Sequence, residues 1–103
     1  MKAEQQRIAI AEACGWTRTD GGFSEPLFVR GTFEAFVIDL PDYLNDLNAI
    51  HLAEVEEIWG AGIGHQYIDE LGRVCTERHP LYATAAQRAE AFLRTLNKWE
   101  ETK

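Results

Sequence analysis

Lysine and arginine are absent from a run of 42 residues, Gly31 to Gly72, in the middle of this 103-residue chain. The same run carries nine carboxylates: Glu34, Asp39, Asp42, Asp46, Glu54, Glu56, Glu57, Asp69 and Glu70. Bases and acids balance before it and bases exceed acids after it, so the formal net charge of −7 originates in this one stretch. A field of one sign repels nucleic acid and attracts partners of the opposite sign. Cysteine is scarce too. Cys14 and Cys75 lie 61 residues apart and form no C-x-x-C pair, so a zinc knuckle or a redox dithiol is not expected, and reduced thiols are. No apolar run approaches the ~18 residues that a membrane helix needs. Met1 to Cys14 is polar and amphipathic rather than a charged region followed by an apolar block, so no secretory leader is expected. These absences point to an acidic protein of the cytoplasm.

Hydrophobic residues make up 46% of the chain, enough for a real core, and the length suits one small domain. The first helix is expected over Ala3 to Cys14, with Arg7, Ile8, Ala11 and Cys14 along one side and Gly15 as its stop. Trp16 to Thr19 reads as a short strand, Asp20-Gly21-Gly22 as a turn, and Leu27 to Arg30 with Thr32 to Ile38 as a hairpin or meander around Gly31. Leu40-Pro41-Asp42 is expected to open a second helix that runs to Trp59, with Leu44, Leu47, His51, Val55 and Ile58 as its apolar row, widened by Ile50 and Leu52. Gly60 to Gly64 reads as a flexible joint. Gln66 to Val74 reads as a short helix on the spacing of Tyr67, Leu71 and Val74, with a strand as the alternative. Thr76 to Leu81 is a connector or an edge strand. Thr84-Ala85-Ala86-Gln87 is a capping-box pattern, and Ala85, Ala89, Phe92, Leu96 and Trp99 then mark the inner face of the last helix, with Arg88, Glu90, Arg94 and Lys98 on its wet side. The expected fold class is α+β, a small antiparallel sheet with three to four helices packed on it.

The segments LPDYLNDLNAI (Leu40 to Ile50), ATAAQRAEAFLRTLNKW (Ala83 to Trp99) and EQQRIAIAEACGW (Glu4 to Trp16) together resemble a group of small proteins encoded by bacteriophages and prophages. The resemblance covers about 40 of the 103 residues and excludes Ala61 to Pro80. It implies a phage accessory protein in a bacterial cytoplasm. It implies no catalytic residues.

No catalytic motif stands out. The histidines at 51, 65 and 79 offer no pair three or four residues apart on a helix, the spacing of helical zinc ligands. His51 with Glu54 is an i, i+3 pair of the kind used in carboxylate-bridged dimetal sites, for which Glu12 would be a further ligand; a satisfied helix histidine is the simpler reading. Cys14 or Cys75 with a histidine would be a nucleophile and base, but Cys14 lies at a helix C-terminus, where the dipole disfavours a thiolate. Gly60-Ala61-Gly62-Ile63-Gly64 follows a helix rather than a strand, and no Lys-Ser or Lys-Thr follows it, so it reads as a connector and not as a phosphate loop. No cofactor is expected.

The acidic run itself carries the functional expectation. Acids on exposed helix faces serve solubility, but nine without a base forgo the i, i+4 pairs that would stabilise a helix, and Glu54, Glu56 and Glu57 crowd toward a helix C-terminus, where negative charge is unfavourable. The expected role is a non-enzymatic anti-defence inhibitor that covers a basic surface of a host protein. Asp42, Asp46, Glu54, Glu56 and Glu57 would steer the encounter and Tyr43 or Trp59 would anchor it. The alternative is an oligomeric sponge for a nucleotide signal, built from Trp16, Arg18, Arg30, Arg73 and Arg78. A small metal-dependent enzyme is the third reading. Direct binding to nucleic acid is opposed by the charge and its placement.

Overall fold

A computed structural model describes residues 1–19, 26–76 and 82–101. Its elements in chain order are α1 (Ala3–Ala13), β1 (Thr17–Thr19), β2 (Leu27–Arg30), β3 (Phe33–Ala35), a 3-10 turn (Val37–Asp39), α2 (Leu47–Glu54), a π-helical turn (Val55–Trp59), α3 (Gly64–Val74) and α4 (Ala85–Thr95). This is an α+β fold with a three-stranded antiparallel sheet in the order β1-β2-β3. The expected turn at Asp20-Gly21-Gly22, and the connector or edge strand from residue 77 to 81 that includes Arg78, His79 and Pro80, lie outside the described residues.

α1 ends as its sequence dictates. Gly15 takes a φ of 97°, and the amides of Gly15 and Trp16 donate back to the carbonyls of Glu12 and Ala11 at 3.1 and 3.0 Å. This Schellman closure needs the left-handed conformation that glycine adopts without steric cost. Strand β1 begins at Thr17, one residue later than expected. In the register Arg18 faces Phe28 and Phe28 faces Ala35. Gly31, at a φ of 61°, takes the first central place of the two-residue turn that joins Arg30 to Phe33, the place where a II′ hairpin turn requires positive φ. The strand expected over Thr32 to Ile38 is shorter. It stops at Ala35, and Val37–Asp39 coils into the 3-10 turn.

The second helix starts later than expected. Leu40 is extended, as a residue before proline prefers, and 43–45 form a turn. The Arg7 guanidinium reaches across from α1 to the carbonyls of Pro41 (3.0 Å), Ile38 (3.3 Å) and Leu40. The Pro41 carbonyl also accepts from the Tyr43 amide at 3.0 Å, so this stretch closes as a turn rather than as a helical ladder. The helix therefore begins at Leu47, and Asp46 caps it by accepting a hydrogen bond from the Asn48 amide at 2.9 Å. After Glu54 the ladder widens: Gly60 donates to the Val55 carbonyl at 3.0 Å, an i to i+5 bond. The segment from Gln66 to Val74 is a helix, and it starts two residues earlier, at Gly64; Tyr67 and Leu71 are buried as their spacing implies.

α4 is the hub of the helical layer and packs against α1, α2 and α3. Its capping box is formed: the Gln87 amide donates to Thr84 Oγ1 at 3.1 Å, and the Thr84 amide donates to Gln87 Oε1 at 2.9 Å. At its other end Asn97 adopts a φ of 58°, and the Lys98 amide returns to the Leu93 carbonyl at 2.8 Å. Ala85, Ala89, Phe92 and Leu93 enter the core with Ile10, Phe28, Leu40, Ile50, Ile58 and Tyr67, while Leu96 and Trp99 pack at its margin. Each fully buried side chain of this size contributes about 1.5–3 kcal/mol relative to exposure.

Candidate functional site

The segment from Asp46 to Trp59 holds five of the seven residues expected to bind a partner, and the structure divides them between two faces. The inward face of α2 is Ile50, Ala53 and Glu54, continued by Ile58 in the π turn. The outward face is Leu47, His51, Leu52, Val55 and Trp59. Leu47, Leu52, Val55 and Trp59 are 55, 64, 46 and 48% exposed. The apolar row expected to face the core is therefore corrected at Leu47, His51 and Val55, which turn to solvent. The core takes the row Ile50, Glu54, Ile58, spaced by four.

Glu54 is likewise not part of an exposed acidic surface. It is 1% exposed, the one buried charged residue among those described. Its carboxylate accepts from Arg88 Nη1 at 3.0 and 3.3 Å and from the Tyr67 hydroxyl, and His51 Nδ1 stands 3.5 Å away. A carboxylate enters a core only when its charge is met and its lone pairs are filled. Arg88, expected on the wet side of α4, turns inward to meet it. Burial and the hydrogen bond to Glu54 hold the Tyr67 hydroxyl well above the usual tyrosine range, so Tyr67 stays a proton donor. Tyr67 and Arg88 were missed from sequence. The one available signal was a carboxylate four residues from Ile50 and four from Ile58.

Tyr43 is the second correction. It is 4% exposed, so it cannot present a ring to a partner. Its hydroxyl and the Cys14 thiol interact. Burial, with Glu57 and Glu56 nearby, pushes the Cys14 thiol up to about 12, which makes it a poor nucleophile at neutral pH. Trp59 remains outward. Its ring lies over Gly64, where a Cβ would collide with it, and meets Tyr67 edge to face at a centroid distance of 6.3 Å.

The other acids are at the surface or half-buried. Among the described residues three of the nine in the Gly31–Gly72 run have a cationic partner: Glu54 with Arg88, Glu56 with Arg30 at 3.2 Å, and Glu70 with Arg73 at 2.6 Å. Among the described residues no cation pairs with Glu34, Asp39, Asp42, Asp46, Glu57 or Asp69. Asp42 accepts from Asn45 Nδ2 at 3.2 Å, and Asp46 serves as the α2 cap.

The residues of the nucleotide-sponge alternative are used differently. Arg30 and Arg73 are committed to carboxylates. Trp16 is half-buried against the core. Arg18 lines a groove with Glu12, Lys98 and Glu100 that takes in none of Trp16, Arg30 and Arg73, and Arg78 lies outside the described residues. At the expected dimetal pair, Arg88 occupies the place beside Glu54 that a metal would need, and among the described residues no three His, Cys, Asp or Glu side chains converge. A further groove of about 510 Å³ runs between α1 and the 37–45 segment, lined in part by Ala3, Arg7, Val37, Ile38, Asp42 and Leu44.

No protein-family model, curated protein or solved structure matches this chain. Among the described residues no helix is long and apolar enough to cross a membrane. The reading of function therefore rests on the site's own chemistry.

Proposed function

We propose that this chain is a non-enzymatic binding protein that covers a basic surface of another protein with the outward side of α2 and the π turn. One observation carries the reading: α2 and the π turn leave Leu47, Leu52, Val55 and Trp59 exposed, in a segment whose Asp42, Asp46 and Glu57 have no cationic partner among the described residues. Leu52, Val55 and Trp59 supply the apolar anchor. Asp42, Asp46 and Glu57 supply the field that steers a basic partner, while Glu56 is already paired with Arg30. Glu54 belongs to the support of the face and not to its contact surface. The resemblance to phage-encoded proteins adds the proposal that the partner is a component of host defence and that covering it blocks its action.

Site-specific photo-crosslinking tests this. A crosslinking side chain at position 52 and, as a control, at position 12 on the exposed side of α1 would be introduced into the chain in bacterial cells. The expected result is a defined partner captured through position 52 and not through position 12, with the crosslinked peptide of the partner rich in Lys and Arg. Equal capture from both positions, or a crosslinked surface that is acidic, refutes the reading.

A further inference from the structure

The shape of the outward face points to the kind of element that covers it. Leu47, His51, Val55 and Trp59 recur every fourth residue with Leu52 beside them, so they form one i±4n ridge along the helix. From Leu47 to Trp59 the ridge is roughly 18 Å long at about 1.5 Å per residue. Its exposed apolar area is roughly 400 Å², about half of one side of a standard protein interface. A narrow ridge of that size matches one secondary-structure element rather than the flat face of a domain. A strand would dock by backbone pairing on a sheet edge, which here is β1 or β3 and not α2. A helix offers the groove between its own ridges into which an i±4n ridge packs.

Charge selects the flank of that helix. Asp46 stands at the start of the ridge and Glu57 at its far end, beside Glu56, which pairs with Arg30 at 3.2 Å, and the run from Gly31 to Gly72 holds no Lys or Arg of its own. A second copy of this chain would bring the same carboxylates against one another. Like charges facing each other across an interface cost several kcal/mol, so a homodimer on this face is disfavoured.

Resting on the binding reading above, we propose that the partner element is a basic amphipathic α-helix of another protein. Its apolar stripe would pack on Leu52, Val55 and Trp59, and its Lys or Arg flank would lie along Asp46, Glu56 and Glu57.

The probe is an 18-residue Leu/Lys peptide patterned for an amphipathic helix, labelled for fluorescence anisotropy. Its controls are a scrambled peptide of the same composition and charge, and a Leu/Glu peptide of the same pattern. The patterned basic peptide is expected to bind at least tenfold more tightly than the scrambled one and to gain helicity by circular dichroism on binding. The Leu/Glu peptide is expected not to bind. Leu52→Ser with Val55→Ser, both at exposed positions, should reduce the patterned peptide to the level of the scrambled one. Glu56→Gln with Glu57→Gln should flatten the salt dependence. If the scrambled peptide binds as tightly as the patterned one and still loses affinity in the Leu52→Ser/Val55→Ser variant, the face is a docking surface but not one for a helix, and only the present inference falls. If the patterned peptide binds that variant as well as the wild type, or its amide shifts map to the groove of Ala3, Val37 and Leu44, both the inference and the underlying reading fall.

Discussion

Replacing Arg88 with methionine removes the cation from a carboxylate that has no access to water. The guanidinium nitrogen lies 3.0 Å from the nearer oxygen of Glu54, which is 1% exposed. At a charge separation of about 4 Å and an effective dielectric of about 20 the attraction is about 4 kcal/mol. Breaking a buried pair from one side costs about 3–5 kcal/mol, because the surviving ion keeps its desolvation penalty. The Arg88 side chain is 25% exposed, so its departure admits some water, and the lower end, about 3 kcal/mol, is expected. Glu54→Gln is a different perturbation. The amide oxygen still accepts from Tyr67, and a quarter-exposed arginine can turn toward solvent, so about 1 kcal/mol is expected. The asymmetry is the test. Urea unfolding at pH 7, followed by the fluorescence of the three tryptophans, should give Arg88→Met a loss about three times that of Glu54→Gln, with the urea dependence unchanged. In a chain of this size 3 kcal/mol lowers Tm by roughly 12–24 °C. Equal losses, or losses under about 0.5 kcal/mol for both, would mean that Glu54 is solvated, and the division of α2 into a supporting and a docking face would be wrong.

Cys14 makes stability fall with alkali. Its folded-state thiol is pushed up to about 12 from an ordinary 9.0, so its contribution is complete below pH 9 and declines as pH rises from 9 to 12, where the unfolded chain releases a proton that the native state holds. Cys14→Ser keeps a polar partner for Tyr43 and should make the decline shallower by about 1.4 kcal/mol per pH unit in that window, read from unfolding midpoints between pH 8 and 10.5. Gly60→Ala places a Cβ 2.7 Å from the Glu56 carbonyl oxygen and should cost about 1–3 kcal/mol, measured by thermal unfolding. Gly64→Ala meets the movable Trp59 ring instead. It should change stability by less than about 1 kcal/mol while shifting tryptophan emission to the red and weakening the Leu/Lys peptide. Thr84→Ala removes the α4 cap and should cost about 1 kcal/mol in the same unfolding assay.

The elements that could be read from sequence are those whose determinants are local. Gly15 closing α1, the strand from Leu27 to Arg30, Gly31 at the hairpin turn and the Thr84–Gln87 box each act within a few residues, and each stands where it was expected. The start of the second helix was not local. Pro41 and Asp42 carry good starting chemistry, but Arg7, 34 residues away, holds the Pro41 carbonyl, and the helix waits until Asp46. The site divides the same way. The exposed carboxylates follow from composition, whereas the outward Trp59 shares the row that spacing assigns to the core. Tyr43 is buried in the core, and Glu54 is buried against Arg88, a partner that spacing along the chain does not reveal.

The two faces of α2 show why periodicity placed Ile50 and Ile58 inside correctly but also put Leu47, His51, Leu52 and Val55 there. Leu47 and Val55 flank His51 on one row, and Ile50 and Ile58 flank Glu54 on the other, and of the two polar residues the carboxylate is the costlier to bury. By hydropathy the first row belongs inside. An isolated helix would bury it, since burying Glu54 without a partner costs several kcal/mol. Arg88 and Tyr67 reverse the choice, because together they neutralise the charge and fill the oxygens that the core would otherwise reject. Once that row is inside, the row of Leu47, His51 and Val55 turns outward. The buried pair thus contributes little net stability of its own and instead fixes the rotation of α2 about its axis. A variant that replaces the pair by packing, Glu54→Leu with Arg88→Met, relaxes that constraint, and Tyr67→Phe removes the hydroxyl that would then lack an acceptor. This triple variant is expected to be at least as stable as the wild type. If it keeps the outward row it should still bind the Leu/Lys peptide. If the helix rotates, Trp59 becomes buried, its emission shifts to the blue, and binding is lost, which would identify the ion pair as the element that keeps the docking face exposed.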